Sequence, residues 1–426
     1  MPPAYLSARR ERLAAALAPI DALLVIGAGE PIPLPEGSDQ TYPYRAHAEY
    51  VFTAGGECVG GVIAHDPREG AAGWRSFVPP VTEAERVWCG ARPREGDDIA
   101  GFTAWRNARA GRRIAALGAP VAGVNADPAA TEAARLACAE VRRPKDPHEL
   151  ELIGQAVRAT LAGYARLPEL IRPGVTERSL QIELEAAFQH AGADGTGYGT
   201  IVGAGPNAAV LHFEPSTRAV AAGDFVLVDA GAEVHRYVAD VTRTYVAGKP
   251  TGFQRDLHAA VRWAQERAIA RCVPGAEWKE IHLAAAVDLT AGLVGMGILR
   301  GQPESLVEQE VHALFFPHGL GHLVGLGVRD ASGLARGRTR DPRPSLRSLR
   351  MDLPLAEGFV VTVEPGLYFI PALLQDSARR ERHRETVNWN LVDAHLAIGG
   401  VRIEDDVLVR AGGPEVLTAG IPKALN

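Results

Sequence analysis

DFVLVDAGAEVHRYVADVTRTYVAG, residues 224–248, reads as two β-strands that each carry an aspartate. Phe225, Leu227 and Asp229 fall on one face of a period-two strand, and the unbroken apolar run FVLV is that of a strand buried on both faces. Asp229 therefore sits at the buried end of a core strand. Asp240 follows in YVADVTRTYV, after a turn expected at Gly231 and Ala232, and antiparallel pairing of the two strands brings both carboxylates together. Later, VVTVEPGLYF (360–369) sets Glu364 after a β-rich run, and GGVRIEDDVLV (399–409) sets Glu404 in another. A buried carboxylate is expensive unless it is paired or binds a cation. A nearby arginine, such as Arg243 or Arg402, would account for any one of the four. Taken together, and with the histidines described next, they point to metal. Oxygen-rich ligation with one imidazole suits manganese, cobalt or zinc in a two-metal site. Four carboxylates balance two divalent cations, and Arg402 offsets the small excess left by a bridging hydroxide.

The histidines come from HGLGHLVGLGVRD (318–330), where His318 and His322 lie four apart among four glycines. A zincin would use both histidines of H-E-x-x-H on a helix. Here no glutamate follows the first histidine, and glycines replace the helix.

Outside these segments the chain is ordinary in composition. Its 426 residues are too many for one core and suggest two domains. Hydrophobic residues at 46% and charged residues at 23% describe a soluble globular protein. The net charge of −6 argues against a nucleic-acid partner. Cys58, Cys89, Cys138 and Cys272 are scattered, without C-x-x-C, and read as reduced thiols of a cytoplasmic protein. Near the N-terminus Pro19 and Asp21 interrupt the apolar run after Arg12, so an Ala-rich helix leading into a strand is expected rather than a signal peptide. No uncharged apolar stretch is long enough to span a membrane.

Residues 1–145 read as an α/β domain. It has a helix near 5–18, a strand at 22–27, an apolar stretch around Glu49–Phe52, a Gly-rich strand CVGGVIAH, and helical patterns over 97–117 and 128–139. The Pro-rich, charged segment VRRPKDPHELELI (141–153) marks the boundary. Residues 146–426 contain a weak echo. RPGVTERSLQIELEAAFQHAG (172–192) and VPGAEWKEIHLAAAVDLTAGL (273–293) each open a helix after Pro-Gly and place an apolar residue, Leu180 or Ile281, seven positions after the proline. That echo suggests an α+β domain of two related halves.

These residues together resemble the creatinase/prolidase/aminopeptidase P group, the "pita-bread" metallopeptidases, and within it the prolidases (Xaa-Pro dipeptidases). The resemblance runs along the whole chain and is most specific in residues 146–426. It implies an α/β creatinase-like N-terminal domain and a pita-bread catalytic domain with a pseudo-twofold repeat. The family's five metal ligands fall on Asp229, Asp240, His322, Glu364 and Glu404, holding two divalent ions, with manganese first and cobalt or zinc possible. AVLHFEP supplies His212 as the family's active-site histidine, and His318 becomes a substrate-contacting histidine. Glu364 is the implied proton acceptor. Thr242, Tyr198 and Arg402 correspond to residues that support the ligands, Arg402 orienting Glu404; Tyr198 reads equally well as core packing.

The same resemblance bears on the substrate. LRSLRMDLPLAEGFVVTVEPG matches the prolidase segment whose arginine, here Arg350, holds a dipeptide's C-terminal carboxylate, a task that suits a guanidinium fork. By itself Arg350 would pass for a solvated charge in an Arg-rich loop. The insertion QDSARRERHRETVNWNLVDAHLAIGG and the segment YPYRAHAEYVFTAGG also look prolidase-like. Where the family reads V-H-D, this chain has Val328, Arg329, Asp330. Arginine cannot exchange a proton at working pH, so Arg329 is either a second carboxylate anchor or turned to solvent or Asp330. Phe213, Tyr198 and Leu326 are candidate walls for the proline ring. Trp88 matches a tryptophan that reaches a partner's active site, and the family implies a homodimer. The alternatives are aminopeptidase P activity on longer peptides, or a non-catalytic binding protein that keeps the fold.

Overall fold

The computed structural model describes residues 1–425, which form two compact units, Met1–Arg142 and Arg143 onward. The first is built on a five-stranded sheet of β1 (Leu23–Gly27), β2 (Val62–His65), β3 (Trp74–Val78), β4 (Asp97–Asp98) and β5 (Ile114–Gly118), in the order β4-β3-β2-β1-β5. β1 is antiparallel to β2 and parallel to β5. Helices Pro3–Leu17 and Pro128–Arg142 accompany it, and the apolar stretch at 49–52 lies in the helix Ala48–Ala54. The helical pattern over 97–117 does not hold. That span is β4, a short helix Gly101–Asn107, and β5. The segment IAALG is rich in helix formers, but pairing along the whole of β1 overrides local propensity.

The second unit contains β6 (Gly195–Thr196), β7 (Ile201–Ala204), β8 (Phe225–Asp229), β9 (Ala232–Val234), β10 (Tyr237–Val238) and β11 (Thr242–Val246). Next come β12 (Gly333–Leu334), β13 (Met351–Asp352), β14 (Val360–Val363), β15 (Gly366–Tyr368), β16 (Gly400–Arg402), β17 (Asp405–Leu408) and β18 (Glu415–Val416). β8 is the middle strand of β11-β8-β7 and is buried along its length. Phe225 and Leu227 pack with Leu257, Val261 and Ala264 of the helix Gly252–Ala270. Val226 and Val228 pack on the opposite side with Tyr164, Leu180 and Leu184. Each such side chain contributes about 1.5–3 kcal/mol when removed from water, which is why FVLV carries no polar residue before Asp229.

The two halves of this unit are built alike. Helices Glu177–His190 and Trp278–Gly295 both follow a Pro-Gly turn, and both bury the residue seven after the proline, Leu180 and Ile281. Gly174 and Gly275 take φ of +91° and +85°, a region open to glycine at no steric cost. Their N–H groups donate to Val220 and Leu355. In the first half β8 pairs antiparallel with β11, and in the second β14 pairs antiparallel with β17. The link from Asp229 to Asp240 differs from the expected tight turn. Gly231 and Ala232 continue into β9, and the chain reverses at His235–Arg236, both at positive φ, before β10 returns it.

Candidate metal centre

The strand pairings bring the acids together. Asp229 ends β8 directly opposite Thr242 of β11, and Asp240 lies just before β11. Thr242 in turn bridges to Glu404, whose N–H donates to the Thr242 carbonyl at 3.0 Å. His322 is held against β14, its N–H donating to Thr362 Oγ1 at 3.1 Å and its carbonyl accepting from the Thr362 N–H at 2.8 Å. The glycines of HGLGH permit this approach. A Cβ at Gly321 would lie 2.1 Å from the Thr362 carbonyl oxygen. Gly321→Ala is therefore expected to cost about 1–3 kcal/mol of stability and to shift His322, read as a lower melting temperature together with weaker binding of an added divalent cation.

Asp240, His322 and Glu404, all buried, each present one ligand atom within 4.8 Å of the others. His322 Nδ1 lies 3.1 Å from the Leu323 carbonyl. That contact fixes the tautomer with Nδ1–H donating and turns the Nε2 lone pair toward Asp240 Oδ2 at 3.6 Å and Glu364 Oε1 at 3.8 Å. Burial and mutual repulsion raise the carboxyls of Asp240 and Glu404 well above the ordinary range, and burial pushes Glu364 up to about 7. Buried oxygens crowded around one oriented imidazole suit a hard or borderline divalent cation.

Asp229 is braced on both oxygens, by the Tyr198 hydroxyl on Oδ1 at 2.7 Å and by Arg402 Nη2 on Oδ2 at 2.6 Å. Thr242 donates to Glu404 Oε2 at 2.6 Å. The expectation that Arg402 orients Glu404 directly is corrected. Its guanidinium binds Asp229 and reaches Glu404 only through Thr242, to which Nε donates at 3.0 Å. Burial opposes the charge of Arg402, but Tyr368, Asp229, Glu404 and Glu364 more than offset it and hold it firmly protonated. Arg243 instead serves Asp405 at 2.7 Å.

His318 has both ring nitrogens engaged, Nε2 with the Tyr368 hydroxyl at 2.9 Å and Nδ1 with the Gly319 carbonyl at 2.9 Å. Arg402 donates to the same Tyr368 oxygen at 3.0 Å, so one network runs from Asp229 through Arg402 and Tyr368 to His318. Tyr368 and Asp406 are the residues the sequence reading missed. Asp406 accepts the Asp240 N–H at 3.0 Å and so fixes the backbone beneath that carboxylate. Each left a trace, a hydroxyl within the apolar run GLYF and a third acid in IEDD.

Above the acids lies a cavity of about 580 Å³ lined by Tyr198, His212, Phe213, Arg329 and the five candidate ligands. Leu326, expected to form part of its wall, does not line it; Leu326 bridges to Tyr237 instead. Arg350 is exposed and likewise stands outside the lining, yet close enough that Arg329 and Glu364 act on it. Neither Arg329 nor Arg350 makes a side-chain hydrogen bond or ion pair among the described residues. Asp330 is buried and paired with Lys145 at 2.9 Å. Burial, then Arg329, Arg402 and Arg350, hold His212 below its ordinary range.

Residues 151–411 match the profile of metallopeptidase family M24. The chain belongs to that family. It is 38% identical over 294 residues to an Xaa-Pro dipeptidase of Stenotrophomonas maltophilia, covering 67% of this chain and spanning 65% of that relative's length. A probable Xaa-Pro aminopeptidase of Tuber melanosporum is 28% identical over 398 residues, 90% of this chain and 86% of its own. Among solved structures, an aminopeptidase of Pseudomonas aeruginosa superposes with a TM-score of 0.78 at 26% identity, covering 100% of this chain and 96% of that one. The fold of this M24 chain is accordingly the pita-bread fold, with two related halves enclosing the acids. Cys58, Cys89 and Cys272 are free thiols, and no helix among the described residues is long and apolar enough to cross a membrane.

Proposed function

We propose that this chain is an Xaa-Pro dipeptidase. The observation that carries the reading is the pair Arg329 and Arg350, two guanidinia that make no ion pair among the described residues, set beside a buried acid cluster. Such a pair offers a seat to a free carboxylate, and a substrate that ends after its second residue supplies one.

The ligands would be Asp229, Asp240, His322, Glu364 and Glu404, and the ions manganese, cobalt or zinc. Bound there, they would polarise the scissile carbonyl and acidify the attacking water. Glu364, which lines the cavity beside the other acids, would take the water's proton and pass it to the leaving imino nitrogen. His212, kept neutral, would hydrogen-bond the developing oxyanion. Phe213 and Tyr198 would flank the proline ring, whose amide has no N–H to satisfy. His318 would act by holding Tyr368, since a direct hydrogen bond to substrate would require one of its present partners to yield. A cytoplasmic homodimer, with Trp88 directed at a partner, belongs to the same reading; Trp88 is 80% exposed.

The deciding experiment is hydrolysis of Ala-Pro against Ala-Pro-Gly by manganese-loaded protein. Arg350→Ala and Arg329→Ala are each expected to raise KM for Ala-Pro by about 10–100-fold, as loss of a charge-assisted contact implies, with kcat nearly unchanged. Unchanged KM in both variants would remove the carboxylate seat. Cleavage of the tripeptide at a comparable rate would favour aminopeptidase action, the second reading, which the Tuber relative's name and the position of Arg350 outside the cavity lining support.

A further inference from the structure

A larger cavity, of about 720 Å³, lies away from the acids between the helix Pro147–Tyr164 and the C-terminal segment. Leu161, Pro168, Ile171, Tyr245, Ile421 and Pro422 are among its walls, and no Lys, Arg, Asp or Glu lines it. Its volume is in the range of small-molecule sites, which are mostly apolar with one or a few placed polar groups. The polar group here is the Tyr245 hydroxyl. Tyr245 is 7% exposed, and its hydroxyl makes no hydrogen bond among the described residues. The hydroxyl is not among the sealed, unpartnered polar atoms of the described residues, so it meets solvent and can instead bond a ligand that enters the cavity. The wall is clamped in place: Arg243 donates to the carbonyls of Ile421 at 2.8 Å and Pro422 at 3.0 Å, and Lys423 pairs with Asp405 at 2.7 Å. The cavity opens to solvent, and these clamps hold its C-terminal wall in place.

We propose that this cavity is a second ligand site, for a neutral and largely apolar small molecule carrying a hydrogen-bond acceptor that meets the Tyr245 hydroxyl. Burial pushes that phenol up to about 12, so it is a neutral donor at physiological pH. The site touches the catalytic strands through Tyr164, which also lines the cavity. The Tyr164 hydroxyl donates to the Val241 carbonyl at 2.5 Å and accepts the Ala230 N–H at 3.2 Å, the neighbours of Asp240 and Asp229. A ligand pressing on the Tyr164 ring would bear on the backbone under both aspartates. This coupling rests on the metal reading above; the binding does not.

The test is fluorescence titration of the full chain with 6-propionyl-2-dimethylaminonaphthalene, a neutral apolar ketone. Saturable blue-shifted emission at one probe per chain is expected, and it should persist in chelated protein. Tyr245→Phe should weaken binding about five-fold, the range of one hydrogen bond. Ala165→Trp, which fills the lining from an exposed helix end, should weaken it about ten-fold or more by blocking the cavity. Non-saturable emission, or binding indifferent to both substitutions, would overturn the site. If Ala165→Trp does not fold, Tyr245→Phe, which removes one atom, decides alone. Identical probe affinity in manganese-loaded and chelated protein would overturn the coupling, because linkage is reciprocal.

Discussion

His322→Ala is expected to lower kcat/KM for Ala-Pro by about 10³-fold or more, which is roughly 4 kcal/mol of transition-state stabilisation. His322 is the one imidazole in the cluster with Asp240 and Glu404. Its Nδ1–H is committed to the Leu323 carbonyl, which leaves Nε2 as its nitrogen donor to a cation. Removing it leaves carboxylates that already resist ionisation because they are buried and crowd one another. With less cation to balance them they take up protons, and bound metal should fall along with activity. Metal content after dialysis, measured beside the melting curve, separates this from misfolding. The side chain is buried but accepts no hydrogen bond through Nε2, so the chelated variant should fold normally. A His322→Ala protein that kept its full metal content and wild-type turnover would end the assignment of the centre.

How far the sequence foretold this centre depended on the range of the interaction. Asp229 was legible because FVLV is a local pattern: apolar residues at consecutive positions mean burial on both faces, and β8 is packed on both. The other three acids and His322 were legible in the same way, as polar residues stranded in apolar runs, with the family resemblance supplying which of them belong together. Tyr368 was not. Its hydroxyl matters only because β15 and β16 pair so that Arg402 comes alongside, and nothing within the run GLYF carries that register. Asp406 was missed for a like reason. In IEDD three consecutive acids serve three different partners, Thr242, Arg243 and the Asp240 backbone, each more than 150 residues away in the chain. The helical reading of 97–117 failed because Ala and Leu are good helix formers whose fate as β5 is set by β1. The role of Arg402 was misjudged by one link: Arg402 ends β16 and Glu404 lies beyond it, and the guanidinium reaches Asp229 and Thr242 rather than the Glu404 carboxylate.

That misjudged arginine gives the second large effect. Arg402→Met is expected to destabilise the chelated protein by about 3 kcal/mol, a fall in melting temperature of roughly 6–12 °C. Arg402 is 3% exposed and is the charged partner of Asp229; it also donates to Thr242 and Tyr368. Methionine fills similar volume but leaves Asp229 with the Tyr198 hydroxyl alone, and an uncompensated buried carboxylate is the costly half of a broken pair. The sign of the metal effect follows. In wild type, a cation arriving near Asp229 meets a carboxylate already neutralised by a guanidinium and must compete for it. In Arg402→Met the same cation neutralises the orphaned charge, so manganese should raise the melting temperature of the variant more than that of the wild type, by the linkage of binding to folding. Activity should still fall, since Thr242 and Tyr368 lose the donor that fixes them and such outer contacts are worth about 10–100-fold. Scanning calorimetry of both proteins, with and without manganese, reads the stability and its metal dependence, and hydrolysis of Ala-Pro reads the activity. Equal metal-induced shifts in the two proteins would mean that Asp229 faces Arg402 alone and does not belong to the metal site.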